Sequence, residues 1–181
     1  MMEPSLAIND STARRFLSLA VIKVRRGFLI CRAAIAMDRH ILDRYPKYIR
    51  ISKHLFLKTG RDVHLTEAAT LRFVAEKTSI PVPRVHCAFA HDNRGIIVME
   101  RVPGVTLARA WKSLSAADRD AIFEQLRSMI NELRSLPPGP GVGIESCVGG
   151  SLTDPRLERA NPRFGPFKTT QEFHLWLHYD L

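Results

Sequence analysis

The stretch Ile96-Ile97-Val98-Met99-Glu100-Arg101-Val102-Pro103-Gly104 decides the fold of this chain. Its apolar first half predicts a buried strand, and the Pro-Gly pair predicts a turn soon after that strand. Upstream, residues 54–58 read as a strand that ends on Lys58, and residues 65–77 have the apolar spacing of a helix that carries Glu67. A strand lysine, a helix glutamate and a strand ending in Met-Glu therefore follow one another along the chain.

The pattern on both sides of this stretch predicts an α+β fold. Ser115 is a predicted cap for a helix that runs to about residue 136, and a last helix is predicted from Thr170 to the end. The long helix has apolar residues at three- and four-residue spacing: Ile122, Leu126, Met129, Ile130, Leu133 and Leu136. Short strands come first and helices afterwards, which indicates a small antiparallel sheet lobe with one helix over residues 46–104 and part of a helical lobe over residues 105–181.

Finer boundaries follow from turn residues. Two further short strands are predicted over residues 48–51 and 84–89, with turns at residues 59–62 and 91–95. Residues 137–150 are rich in glycine and proline and are predicted to be a loop. From Thr106 onward only helices and loops are expected.

Residues 1–45 are predicted to be a basic extension with two helical stretches. Residues 1–61 contain 13 lysines and arginines against 4 aspartates and glutamates, whereas residues 62–181 contain 14 of each kind. The basic charge therefore belongs to the N-terminal third. Such a segment is either a solvated extension or a binding arm for nucleic acid, anionic lipid or an acidic partner.

The cysteines and the hydropathy pattern bear on the cellular compartment. Cys31, Cys87 and Cys147 are scattered and have neither metal-ligand nor CxxC spacing, so reduced thiols in the cytoplasm are expected. No run of about 18 uncharged apolar residues occurs, so no membrane span is expected.

Glu67 is predicted to lie on an apolar helix face, because Leu71 and Val74 follow it at four and seven residues. A carboxylate on such a face is costly unless a cation meets it. Lys58 on the preceding strand is the available cation, so we expect an ion pair between the two side chains. From the residues alone, this pair either orients Lys58 toward the phosphates of a nucleotide or is purely structural.

A set of short motifs occurs in order over about residues 46–181. They are residues 54–60 (HLFLKTG), 65–74 (LTEAATLRFV), 79–85 (SIPVPRV), 97–100 (IVME), 125–127 (QLR), 131–134 (NELR) and 165–167 (GPF), together with Pro103-Gly104, Thr106-Leu107, Phe173 and Trp176-Leu177. As a set they resemble the aminoglycoside phosphotransferase-type enzymes, which have a protein-kinase-like fold, and in particular their fungal branch.

The resemblance implies an ATP-dependent phosphotransferase that acts on a small hydroxylated substrate. It implies that Lys58 and Glu67 are the catalytic pair and that Lys58 also contacts the α- and β-phosphates of the nucleotide. It further implies that Met99 borders the adenine pocket, and that the carbonyl of Glu100 and the amide of Val102 bind the edge of the adenine.

The chain also departs from the pattern of that family. No glycine-rich loop precedes Lys58, and the 181 residues contain neither the catalytic His-Gly-Asp segment nor a later metal-binding aspartate. His178-Tyr179-Asp180 has the His-x-Asp spacing by chance. We therefore expect a chain that is truncated before the catalytic loop, binds ATP weakly, does not hold Mg²⁺ alone and is inactive by itself.

Three readings stay open at this point. The chain is either such a phosphotransferase homologue or a non-catalytic interaction protein with a basic binding arm, and an incomplete gene product is the third reading. The apolar stripe of the long helix has only the last helix available to cover it, through Phe173, Trp176 and Leu177. Self-association or a protein partner over this helical face is therefore expected.

Overall fold

A computed structural model describes residues 48–91, 93–154 and 163–179. Its centre is an antiparallel four-stranded sheet in the order β1-β2-β4-β3, packed against helix α1. The elements of this lobe are β1 Tyr48–Arg50, β2 Leu55–Gly60, α1 Thr66–Lys77, β3 Val85–His91 and β4 Arg94–Glu100. The predicted α+β class and the small sheet lobe with one helix are confirmed.

Successive side chains of a strand point to opposite faces of the sheet. Each of the two faces carries a cluster of buried residues. On the face toward α1, six buried residues form one cluster: Val63, Leu65, Ala68, Ala88, Ile97 and Met99. On the opposite face a second cluster contains Leu57, Cys87, Ile96 and Val98. Leu57 and Lys58 are neighbours in β2, so the burial of Leu57 on one face directs Lys58 to the face that carries α1.

The second part of the described chain is helical with a small strand pair. Its elements are α2 Leu107–Ala110, a 3₁₀ turn Trp111–Ser113, α3 Ala116–Ser135, β5 Leu152–Thr153, β6 Arg163–Phe164 and α4 Thr170–Tyr179. Ser115 begins α3 with a capping box, in which its hydroxyl accepts from the Asp118 amide at 3.1 Å and the Asp118 carboxylate accepts from the Ser115 amide at 3.2 Å. The predicted cap is confirmed.

An aromatic cluster organises the C-terminal segment. Phe164, Phe167, Phe173 and Trp176 contact one another, with ring centroids 4.6 to 6.4 Å apart. These rings join β6 to α4. The aromatic residues of α4 therefore pack against β6 and the residues that follow it. Within the described residues no helix packs extensively along α3.

The structure corrects two expectations from the sequence. Strand β2 does not end at Lys58 but continues through Thr59 and Gly60, because both residues pair with β4, at Ile96 and Gly95. A two-stranded sheet of β5 and β6 follows Thr106, where only helices were expected.

Two sequence-based expectations lie outside what this structure tests. The basic extension, residues 1–45, falls outside the described residues, and the lobe boundaries at residues 46–104 and 105–181 stay predictions. Within the described ranges, no helix has the length and apolar character that crossing a membrane requires.

Candidate functional site

The site is built around a contact between β2 and α1. The Nζ of Lys58 donates to Oε2 of Glu67 at 2.5 Å. The side chains are 18% and 38% exposed, respectively, so the pair is partly buried and its Glu67 end is open to solvent. The expected meeting of these two residues is confirmed, while their role in binding a nucleotide stays a prediction.

The start of α1 is held by His64, and this fixes the position of Glu67 in the first turn. Nδ1 of His64 accepts from the Thr66 amide at 3.2 Å and lies 2.6 Å from the Thr66 hydroxyl. The His64 carbonyl accepts from the Glu67 amide at 3.1 Å. These contacts satisfy amide groups that have no partner inside the helix, so His64, which precedes the N-cap residue Leu65, stabilises the start of α1. Nothing in the sequence pattern marked this residue.

Burial of the His64 ring, with a smaller contribution from the charge of Arg163, lowers its pKa below the ordinary value of 6.5. Arg163 lies in β6 and donates from Nε to the Ser151 hydroxyl at 2.8 Å and from Nη2 to the Ser151 carbonyl at 2.6 Å. The strand pair β5–β6 therefore places a cation near the start of α1. A neutral His64 suits both this charge and the acceptor role of Nδ1.

Two aromatic residues complete the surroundings of Lys58. Tyr48 lies opposite Lys58 in the β1–β2 register, and Nζ lies 5.7 Å from the centroid of its ring. The rings of Tyr48 and Phe56 are stacked, with centroids 6.1 Å apart and planes inclined by 21°. Sequence reasoning missed both residues. Phe56 could have been found by its two-residue offset from Lys58, but the position of Tyr48 depends on a strand register that the sequence does not show.

The segment after β4 leaves backbone groups in reach of a ligand. The Glu100 amide donates to the Arg84 carbonyl at 2.8 Å, whereas the Arg84 amide donates to the Glu100 carboxylate at 3.3 Å instead of completing a backbone pair. The Arg101 amide donates to the His54 carbonyl at 2.8 Å. Val102 is 64% exposed, and among the described residues its amide makes no hydrogen bond.

Met99 closes this end of the site. It is 7% exposed and packs in the cluster that also contains Ile97 and Ala68, with Phe56 beside it. The Lys58 partner in β4 is Ile97, and the Phe56 partner is Met99. Lys58 and Met99 therefore lie on the face of the sheet that carries Glu67, and the exposed segment with Val102 follows at the end of β4. The role of these residues in one binding site stays a prediction.

The described residues contain no group of three or more histidine, cysteine, aspartate or glutamate side chains arranged to hold a metal ion. Weak ATP binding and the expected lack of Mg²⁺ binding by this chain alone stay predictions. The groups that this part of the chain offers are the partly exposed ammonium of Lys58 and the backbone amide of Val102.

Comparison with known proteins agrees with this arrangement. The model of the phosphotransferase enzyme family matches residues 50–177, which include Lys58, Glu67, β4 and the segment that follows it. No match was found among curated proteins or among solved structures. Because this match covers more than half of the chain, the chain belongs to the phosphotransferase enzyme family.

Proposed function

We propose that the face of the sheet between Lys58 and Val102 binds ATP, with the adenine at the end of β4 and the phosphates at Lys58. The observation that carries this proposal is the 2.5 Å contact between Lys58 and Glu67. A lysine held by a carboxylate on a packed helix has a fixed direction, and kinase-type sites use such a lysine to contact nucleotide phosphates.

The residues present fit a nucleotide. Lys58 has three N–H donors, of which one is engaged with Glu67, so the others remain for phosphate oxygens. The Val102 amide offers a donor and the Glu100 carbonyl an acceptor, which match the ring nitrogen and the amino group of an adenine edge. Bound ATP would supply the phosphoryl group, and the family points to a small hydroxylated molecule as the acceptor.

For these 181 residues taken alone, we propose binding without transfer. Phosphoryl transfer needs a residue that positions the nucleophile and metal ions that neutralise the developing charge. The catalytic-loop motif of kinases, His-x-Asp-x-x-x-x-Asn, does not occur within these 181 residues. A positioned base alone contributes roughly 10²- to 10⁴-fold in rate.

Titration calorimetry with ATP tests the binding proposal. We expect Lys58→Met to weaken ATP binding by at least about tenfold, because it removes a charged donor to the phosphates. Lys77→Met is the matched control, since Lys77 is an exposed lysine at the other end of α1 and should leave the affinity unchanged. Equal affinities of all three proteins would contradict the assigned site.

A coupled assay for ADP release tests the absence of transfer. Release that depends on Lys58 would show that the 181 residues contain a complete catalytic site. Release that persists in Lys58→Met would place the chemistry elsewhere.

A second candidate function is that of a non-catalytic interaction protein, and one observation favours it. Four large apolar side chains on α3 are exposed: Phe123, Leu126, Ile130 and Leu133. MgATP binding without any effect of nucleic acid or anionic lipid would favour the first function. Nucleic-acid or lipid binding through the basic N-terminal segment, without ATP binding, would favour the second.

A further inference from the structure

Helix α3 carries an exposed apolar stripe. Its members are Phe123, Leu126, Ile130 and Leu133, which are 52%, 42%, 46% and 41% exposed. Their spacing of three and four residues places them on one side of the helix. The opposite side faces the rest of the chain through Glu132, which binds Ser79. Ile122 and Met129 lie between the two sides and are half-buried.

Charged residues flank the stripe, and the sign of their charge changes from negative near the beginning of the helix to positive near its end. Asp120 lies near the beginning of α3, Arg127 in the middle and Arg134 near the end, each seven residues from the next. The open surface around the stripe is bordered, among the described residues, by these three residues together with Phe123, Glu124, Leu126, Ile130 and Asn131. Neither Lys58 nor Val102 belongs to it.

Asp120 and Arg134 cannot neutralise each other within one chain. Fourteen residues of α-helix span roughly 21 Å, which is far beyond the reach of an ion pair. Arg127, in contrast, already donates to the Glu124 carboxylate at 3.0 Å. The two ends of the flank therefore carry complementary charges that only a second molecule can bring together.

We propose that α3 binds the α3 of a second copy of this chain in an antiparallel pair, with the twofold axis near Leu126 and Arg127. In that pairing, residues at equal distances on either side of the axis meet. With the axis at Arg127, Asp120 faces Arg134 of the second copy at both ends, and Phe123 lies next to Ile130 of the second copy. Each Arg127 meets its symmetry mate beside the Glu124 carboxylate that already accepts from it. A twofold interface is self-complementary in this way, because each contact occurs twice.

The interface is a modest one. A helix of 20 residues is about 30 Å long, and one pair of such helices buries less than the roughly 1,600 Å² of a standard stable interface. We therefore expect a reversible dimer with a dissociation constant on the order of micromolar, and the proposal does not depend on nucleotide binding.

Sedimentation equilibrium of the complete 181-residue chain, at about 1 to 200 µM, tests this proposal. Ile130→Asp should abolish the dimer, because it puts a charge into the apolar contact. Asp120→Arg and Arg134→Asp should each weaken the dimer at least about fivefold, since each creates two like-charge pairs. The double variant should restore the dissociation constant to within about twofold of the original.

Lys112→Asp is the control, since it reverses an exposed charge outside α3 and should change nothing. Circular dichroism melting of each variant shows whether it is folded. If Ile130→Asp is unfolded, the comparison of Asp120→Arg and Arg134→Asp with their double variant decides the test. A chain that stays monomeric over the whole range overturns the proposal. So does a dimer in which the double variant is as weak as its single parents, because the antiparallel register requires the rescue.

Discussion

The carboxylate of Glu132 in α3 holds Ser79 by two hydrogen bonds, from the Ser79 amide to Oε1 at 2.5 Å and from its hydroxyl to Oε2 at 2.9 Å. Ser79 follows α1 directly, after the C-cap residue Thr78. This contact therefore joins the end of the helix that carries Glu67 to the long helix of the second part of the chain.

Glu132→Ala should lower the free energy of unfolding by about 1 kcal/mol, because two charge-assisted hydrogen bonds are lost at an exposed position. Urea denaturation measures this change. Gln125→Ala is the control, since Gln125 is an exposed α3 side chain of similar length. A loss no greater than that of the control would show that the contact contributes nothing in solution.

A double-mutant cycle should detect the Lys58–Glu67 interaction in the absence of any ligand. For Lys58→Met, Glu67→Gln and the double variant, we expect a coupling energy of about 1 kcal/mol. The value lies between those of exposed and buried pairs because Glu67 is 38% exposed and solvent screens it. Additive effects of the two substitutions would mean that the pair has no energetic coupling.

Gly95→Ala should destabilise the sheet by at least about 3 kcal/mol. A Cβ at Gly95 would clash with the carbonyl oxygen of Val63, and a backbone atom in the core cannot move aside. Gly150→Ala is the matched control, because its Cβ would lie 3.4 Å from the Ser146 hydroxyl, an ordinary contact. Thermal melting of both variants compares them, and equal melting temperatures would contradict the packing at Gly95.

The hydrogen bond between His64 and the first turn of α1 should make the free energy of unfolding depend on pH. Because the folded state lowers the His64 pKa below 6.5, the unfolded state binds the proton more readily. The contribution is therefore complete above pH 6.5 and is lost as the pH falls below that value. Protonation also removes the Nδ1 acceptor from the Thr66 amide.

His64→Asn isolates this effect, since its side-chain oxygen can accept the same amide hydrogen bond but does not titrate. Urea unfolding at about pH 7.5 and about pH 5.5 should show a larger loss of stability in the original chain than in the variant. The same loss in both proteins would assign the pH dependence to other groups.

The sheet lobe could be predicted from the sequence because its signals are local. The apolar run at residues 96–99 and the apolar face around Glu67 are each contained in one element. Lys58, on the preceding strand, was the available cation for Glu67. Their meeting across two elements followed from the cost of an unpaired carboxylate. The structure agrees, with the two side chains in direct contact.

The parts that escaped prediction depend on register or on distant contacts. Thr59 and Gly60 look like turn residues, but pairing with β4 extends the strand through them. Tyr48 reaches Lys58 only because β1 pairs with β2 in one particular register. His64, likewise, owes its burial to the fold around it, and no local pattern records that.

The order of pairing in the sheet also bears on how the proposed nucleotide site is assembled. The β3–β4 hairpin closes locally at His91 and Arg94, whereas Lys58 reaches Ile97 only after the chain has passed through α1 and β3. Local contacts form before distant ones in folding, because closing a longer loop costs more chain entropy. We therefore expect Lys58 to reach its position last, when β2 pairs with β4. Binding at the proposed nucleotide site would then require the folded lobe, and neither the β3–β4 hairpin nor β2 alone would suffice.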